Sequence, residues 1–104
     1  MGDKKYTLSY LPLFEEDLAE TKKYVAEILK NPAAALRLIE ETERQIHKRL
    51  ENPVTYEPYH SLKDRARPYY RIYVGNFIVF YVVIDNVMEV RRFIYNKRDL
   101  SKLI

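Results

Sequence analysis

The side chains best suited to chemistry are the cations, and they are unevenly spread. From residue 63 onward the chain carries Lys63, Arg65, Arg67, Arg71, Arg91, Arg92, Lys97, Arg98 and Lys102, opposed only by Asp64, Asp85, Glu89 and Asp99. Several such cations within reach of one phosphate stabilise negative charge as it develops there. The same groups suit a nucleic-acid backbone or an acidic protein segment. The plainer alternative is a set of solvated charges on sheet edges. The first half opens instead with an acidic cluster, Glu15, Glu16, Asp17 and Glu20.

Other chemistries find little support. His60 has an unperturbed pKa near ~6.5 and is suited to acid–base work. It lies beside Ser61 and Asp64, but adjacency in sequence is no evidence for a catalytic triad. It reads as an exposed loop histidine, and His47 as a surface residue on a helix flank. With no cysteine and no carboxylate-rich loop, no metal site is expected. With only 2 glycines, there is no glycine-rich loop to cradle a phosphate. No cofactor is expected.

These residues must be positioned by a small scaffold. The 104 residues are 47% hydrophobic and 32% charged, with a net charge of +3. One domain spanning 1–104 is expected, large enough to bury a core without disulfides. No apolar run approaches the roughly 20 residues of a membrane span. Met1-Gly2-Asp3-Lys4-Lys5 leads straight into an alternating segment, so no signal peptide is expected.

Alternation from Lys5 to Leu11 predicts a strand, stopped by Pro12. Phe14, Leu18, Val25, Ile28 and Leu29 form a helical stripe, predicting a helix over 13–29 with acids early and lysines late. Asn31-Pro32 supplies a cap and a first-turn proline. A second helix follows to about Glu51, with its stripe on Ala35, Leu38, Ile39, Thr42, Ile46 and Leu50. Residues 52–68 form a polar, proline-punctuated connection of the length that often carries function.

Strands then take over. Tyr69–Val74 alternates, Gly75-Asn76 makes a primed hairpin turn, and Phe77–Ile84 is apolar throughout, as in a central strand. Asp85-Asn86 turns again into Val87–Tyr95. Strict alternation there puts Met88, Val90 and Ile94 on one face and Glu89, Arg91, Phe93 and Tyr95 on the other. Arg92, on the Met88 side, is expected to be a buried structural arginine paired with an acid. The fold expected is α+β: β-α-α-β-β-β, a helical hairpin on one face of a four-stranded, mainly antiparallel sheet. The opposite face is expected to be partly open and charged.

This order resembles the RelE/ParE toxin superfamily of bacterial type II toxin–antitoxin systems. The resemblance rests on Tyr70-Arg71-Ile72-Tyr73-Val74-Gly75-Asn76-Phe77-Ile78-Val79-Phe80-Tyr81 and on Val90-Arg91-Arg92-Phe93-Ile94-Tyr95-Asn96-Lys97-Arg98-Asp99-Leu100. It implies a small cytoplasmic toxin that inhibits growth and is held inactive by a cognate acidic antitoxin. Operator DNA would be met only through the antitoxin, and the membrane not at all. It implies one of two targets: the ribosome and its mRNA, cut by RelE-like endonucleases without a metal, or DNA gyrase, inhibited by ParE-like members. A non-toxic antitoxin-binding scaffold is the third possibility.

For a nuclease, the resemblance points to Arg71 and Arg98 as catalytic cations. For target binding of either kind it points to Arg71, Tyr73, Tyr95, Lys97 and Arg98, with Tyr95 able to stack on a base. Three departures tilt the balance. Ile78 stands where the nucleases tend to carry a phosphate-binding arginine, and Tyr73 replaces a lysine common among them. The tail also lacks their late Tyr or His. The third strand is closer to the ParE form, so gyrase inhibition is the expected activity.

Overall fold

The computed structural model describes residues 5–58 and 68–96. The element order is β1 (Thr7–Tyr10), α1 (Pro12–Lys23), a π-helical segment (Tyr24–Ile28), α2 (Pro32–Arg49), β2 (Tyr70–Val74), β3 (Phe77–Ile84) and β4 (Val87–Tyr95). Pro12 ends the strand and opens the helix, since it donates no ladder hydrogen bond and its fixed φ suits a first turn. Asn31 caps α2 by accepting the Ala34 N–H at 3.1 Å. The reversal between the helices is made by Lys30, whose φ of 53° is left-handed.

The sheet order is β1-β4-β3-β2. The last three strands form an antiparallel meander, and β1 lies parallel to β4. Both turns use left-handed residues, Gly75 at φ 57° and Asp85 at φ 55°. The β3–β4 ladder carries a bulge. Phe80 faces Arg92 while Tyr81 faces Val90, so Arg91 is the extra residue. This corrects the expected alternation. Met88 and Val90 face the helices, but past the bulge Phe93 takes that side and Ile94 the other.

The helices cover one face only, as expected. Phe14 and Ile46 pack there on Ile72, Val79, Tyr81, Met88, Val90 and Phe93. The opposite face carries Arg71 and Tyr73 as expected, but the centre of that face is apolar and buried. It carries an apolar strip of its own, Tyr69, Ile78, Phe80, Val82 and Ile94, with no residue more than 8% exposed. A central strand apolar on both faces must bury both. Arg71 and Arg91, among the described residues, lie at the margins of the strip, beside Tyr73 and Tyr69. Among the described residues, no helix is long and apolar enough to cross a membrane.

Candidate target and partner surfaces

Arg71 and Tyr73 alternate with the helix-facing Tyr70, Ile72 and Val74, so both stand on the face away from the helices. The Arg71 guanidinium lies 5.7 Å from the centroid of the Tyr73 ring. Tyr73 is 54% exposed. Across the strip, Arg91 meets Glu89 at 2.7 Å, and its guanidinium lies 5.9 Å from the Tyr69 ring. Tyr69 in turn packs against Phe80 at 6.1 Å between centroids.

Arg92 is the structural arginine that was expected. Its Nε donates to Asp17 Oδ2 at 2.8 Å and its Nη2 to Oδ1 at 3.2 Å. The same Oδ2 accepts the Phe93 N–H at 3.0 Å. β1 leaves the side of β4 after Val90, and Asp17 supplies an acceptor to the edge beyond it. These hydrogen bonds to Asp17 raise the Arg92 pKa.

Tyr95 stands apart from Arg71 and Tyr73. Tyr95 pairs with Phe77 and so shares the helix-side face, opposite to Arg71 and Tyr73. Lys97, Arg98 and His60 lie outside the described residues. His47 is exposed, with its Nδ1 2.9 Å from the Glu43 carbonyl oxygen.

Tyr95 instead lines a groove of about 750 Å³ between the end of α1 and the β2–β3 turn. Tyr24, Val25 and Leu29 form one wall, and Asn76, Phe77 and Tyr95 the other. The wall on the helix side follows from the π-helical turn. Leu29 N–H reaches back five residues to the Tyr24 carbonyl at 3.0 Å, which widens the coil. π-turns of this kind are frequent at functional sites. Tyr24, Ile28 and Leu29 are left more than half exposed, an apolar patch seeking a cover. Five residues of π-helix leave no distinctive spacing in a sequence, so this feature was not legible.

A second feature escaped the sequence reading, a polar cluster at the end of α2. Arg49 Nη1 donates to the Arg71 carbonyl oxygen and to the Tyr81 hydroxyl, each at 3.0 Å. The guanidinium also lies 3.5 Å from the Tyr56 ring centroid. The Tyr81 hydroxyl donates to the Pro53 carbonyl at 2.7 Å. Burial pushes the Tyr81 phenol up to about 12, against the opposing pull of Arg49. A buried tyrosine within an apolar strand needs a partner for its hydroxyl, and that was the available signal.

Comparison with known proteins adds three findings. Residues 8–100 match the family model described as the ParE toxin of the type II toxin–antitoxin system, parDE. A structure of the chromosomal ParDE toxin–antitoxin system from P. aeruginosa superposes with a TM-score of 0.69 at 14% identity, covering 88% of this chain and 97% of that one. YafQ from E. coli strain BL21(DE3) superposes with a TM-score of 0.54 at 15% identity, covering 88% and 93%. At these identities the two structures speak for the fold. Comparison with curated protein sequences returned no match.

Proposed function

We infer partner and target from one premise: this chain belongs to the ParE toxin family of type II toxin–antitoxin systems. Within that family, we propose that it arrests growth by binding DNA gyrase and does not cut RNA. We also propose that a cognate acidic antitoxin neutralises it. Ile78 carries the first reading. It occupies the strand position where the superfamily's nucleases tend to carry an arginine, and it is 1% exposed within the apolar strip. An aliphatic side chain can neither hold a phosphate nor move a proton there.

The surroundings support the same reading. Arg91 and Arg92 are engaged by Glu89 and Asp17. Tyr73, 54% exposed, and Arg71 beside it stand at the margin of the buried strip. Tyrosine and arginine anchors are the residues that dominate protein–protein interfaces. For the antitoxin, the superposed Pseudomonas structure is that of a toxin–antitoxin system. The groove beside Tyr24 and Leu29 has the shape and apolarity to take an amphipathic helix. An acidic continuation of that helix would be attracted to the basic half of the chain.

The test is a supercoiling assay with purified gyrase and relaxed plasmid, run beside a translating extract in which message length is followed. Inhibited supercoiling with intact message is the expected result. Message cleavage with unaffected supercoiling would refute the proposal and return Arg71, Lys97 and Arg98 to a nuclease role. A folded protein inert in both assays would point to a non-toxic scaffold.

A further inference from the structure

We propose that Arg49 is a positioning residue. It braces β2 at Arg71, so that Arg71 and Tyr73 meet the target in one fixed geometry. This rests on the reading of the Arg71–Tyr73 face as the target surface.

Among the described residues, β2 is an edge strand of five residues, hydrogen-bonded to a neighbouring strand on one side only. Outward backbone groups of such a strand otherwise bond to water, and edges open at low free energy. Arg49 reaches this edge from the last turn of α2. Its donation to the Arg71 carbonyl ties down the residue whose side chain stands on the opposite face. Its donation to the Tyr81 hydroxyl ties the same guanidinium to β3. The Tyr56 ring supports the guanidinium plane from the connection, and Tyr70 stacks on Tyr81 at 5.3 Å. Helix, connection and two strands therefore converge on one side chain. A binding surface held in this way loses less ordering entropy when it engages a partner.

The experiment compares Arg49→Gln, Arg49→Lys, Tyr81→Phe and Arg71→Ala in the gyrase supercoiling assay. Native-state hydrogen exchange of residues 70–74 and 87–95 is measured alongside, with folding checked by circular dichroism. Arg49→Gln should weaken inhibition about tenfold, or ~1.4 kcal/mol, and speed exchange in β2 while β4 keeps its protection. Arg49→Lys retains a cation able to donate to both oxygens and should restore most of the potency. If Arg49→Gln does not fold, Tyr81→Phe carries the test, with an expected loss of about threefold from an unbraced guanidinium. Inhibition by Arg49→Gln within about twofold of the parent overturns the proposal. So does exchange that rises in β2 and β4 together, the mark of a merely structural residue. Arg71→Ala separates the two levels. If it inhibits fully, the target-surface reading itself falls. If it fails while Arg49→Gln inhibits normally, only the positioning role falls.

Discussion

Replacing Asp17 by alanine should be among the most damaging single changes to this fold. The carboxylate accepts two hydrogen bonds from Arg92 and one from the Phe93 amide. The two side chains are 17% and 12% exposed, so little water is available to replace what is lost. Removing one partner of a buried ion pair costs about 3–5 kcal/mol, because the other charge is left without compensation. Residual exposure places Asp17→Ala at the lower end, about 3 kcal/mol. For a domain near this size that lowers Tm by at least ~12 °C. Asp17→Asn keeps one acceptor for the Phe93 amide and should cost about 2 kcal/mol. Urea unfolding followed by far-ultraviolet circular dichroism reads these differences. The double variant Asp17→Ala/Arg92→Met isolates the cause. Without the orphaned cation it should be more stable than Asp17→Ala alone by about 1 kcal/mol. An Asp17→Ala protein within about 1 kcal/mol of the parent would refute the reasoning. So would two substitutions whose costs simply add.

Other perturbations follow from the same geometry. Tyr81 has a folded pKa of about 12, above the ~10 of an unfolded tyrosine. Its neutral phenol stabilises the fold below ~10, and that contribution is lost as pH rises towards 12; an ultraviolet phenolate titration should show a phenol ionising near 12 together with unfolding, absent in Tyr81→Phe. Lys30 sits at φ 53°, where glycine is free of strain, so Lys30→Gly should raise stability by about 0.5–1 kcal/mol in denaturant unfolding. Asn31→Ala removes the α2 cap and should cost about 1 kcal/mol in the same assay. Leu29→Asp places a charge in the groove and should weaken antitoxin binding at least ~10-fold while gyrase inhibition persists; a pull-down with the protein encoded beside this chain checks it.

The two hairpin turns and the apolar third strand were readable because their signals are local. Gly75-Asn76 and Asp85-Asn86 supply residues that tolerate left-handed backbone, and Phe77–Ile84 lacks the alternation of a half-exposed strand. The helix boundaries were readable at their starts, where Pro12 and Asn31-Pro32 act, and less so at the end of the first helix. Arg92 does pair with an acid, as expected, but not for the reason given by alternation: past the bulge it lies opposite Phe80 and away from Met88 and Val90, and its partner lies 75 residues away. The bulge was not legible. An extra residue leaves the composition of a strand unchanged, yet it reverses the faces of Phe93 and Ile94. Nor was the convergence at Arg49, since a lone arginine in a final helical turn usually just complements the helix dipole. Of the target-surface residues, Arg71 and Tyr73 share a face because they are two apart on one strand. Tyr95 is set on the other side by the cross-strand register with Phe77, which depends on that same bulge.

Because β1 lies alongside β4, it finds this neighbour only after some eighty more residues have been synthesised. Until then Leu8 and Tyr10 have no ladder to join, and Asp17 has neither Arg92 nor the Phe93 amide to hold. Such sequence-distant closure slows folding, and it gives the nascent polypeptide an interval of immaturity. A growth inhibitor built on this plan would emerge from its own ribosome unfinished, leaving time for a neutralising protein made nearby to arrive first.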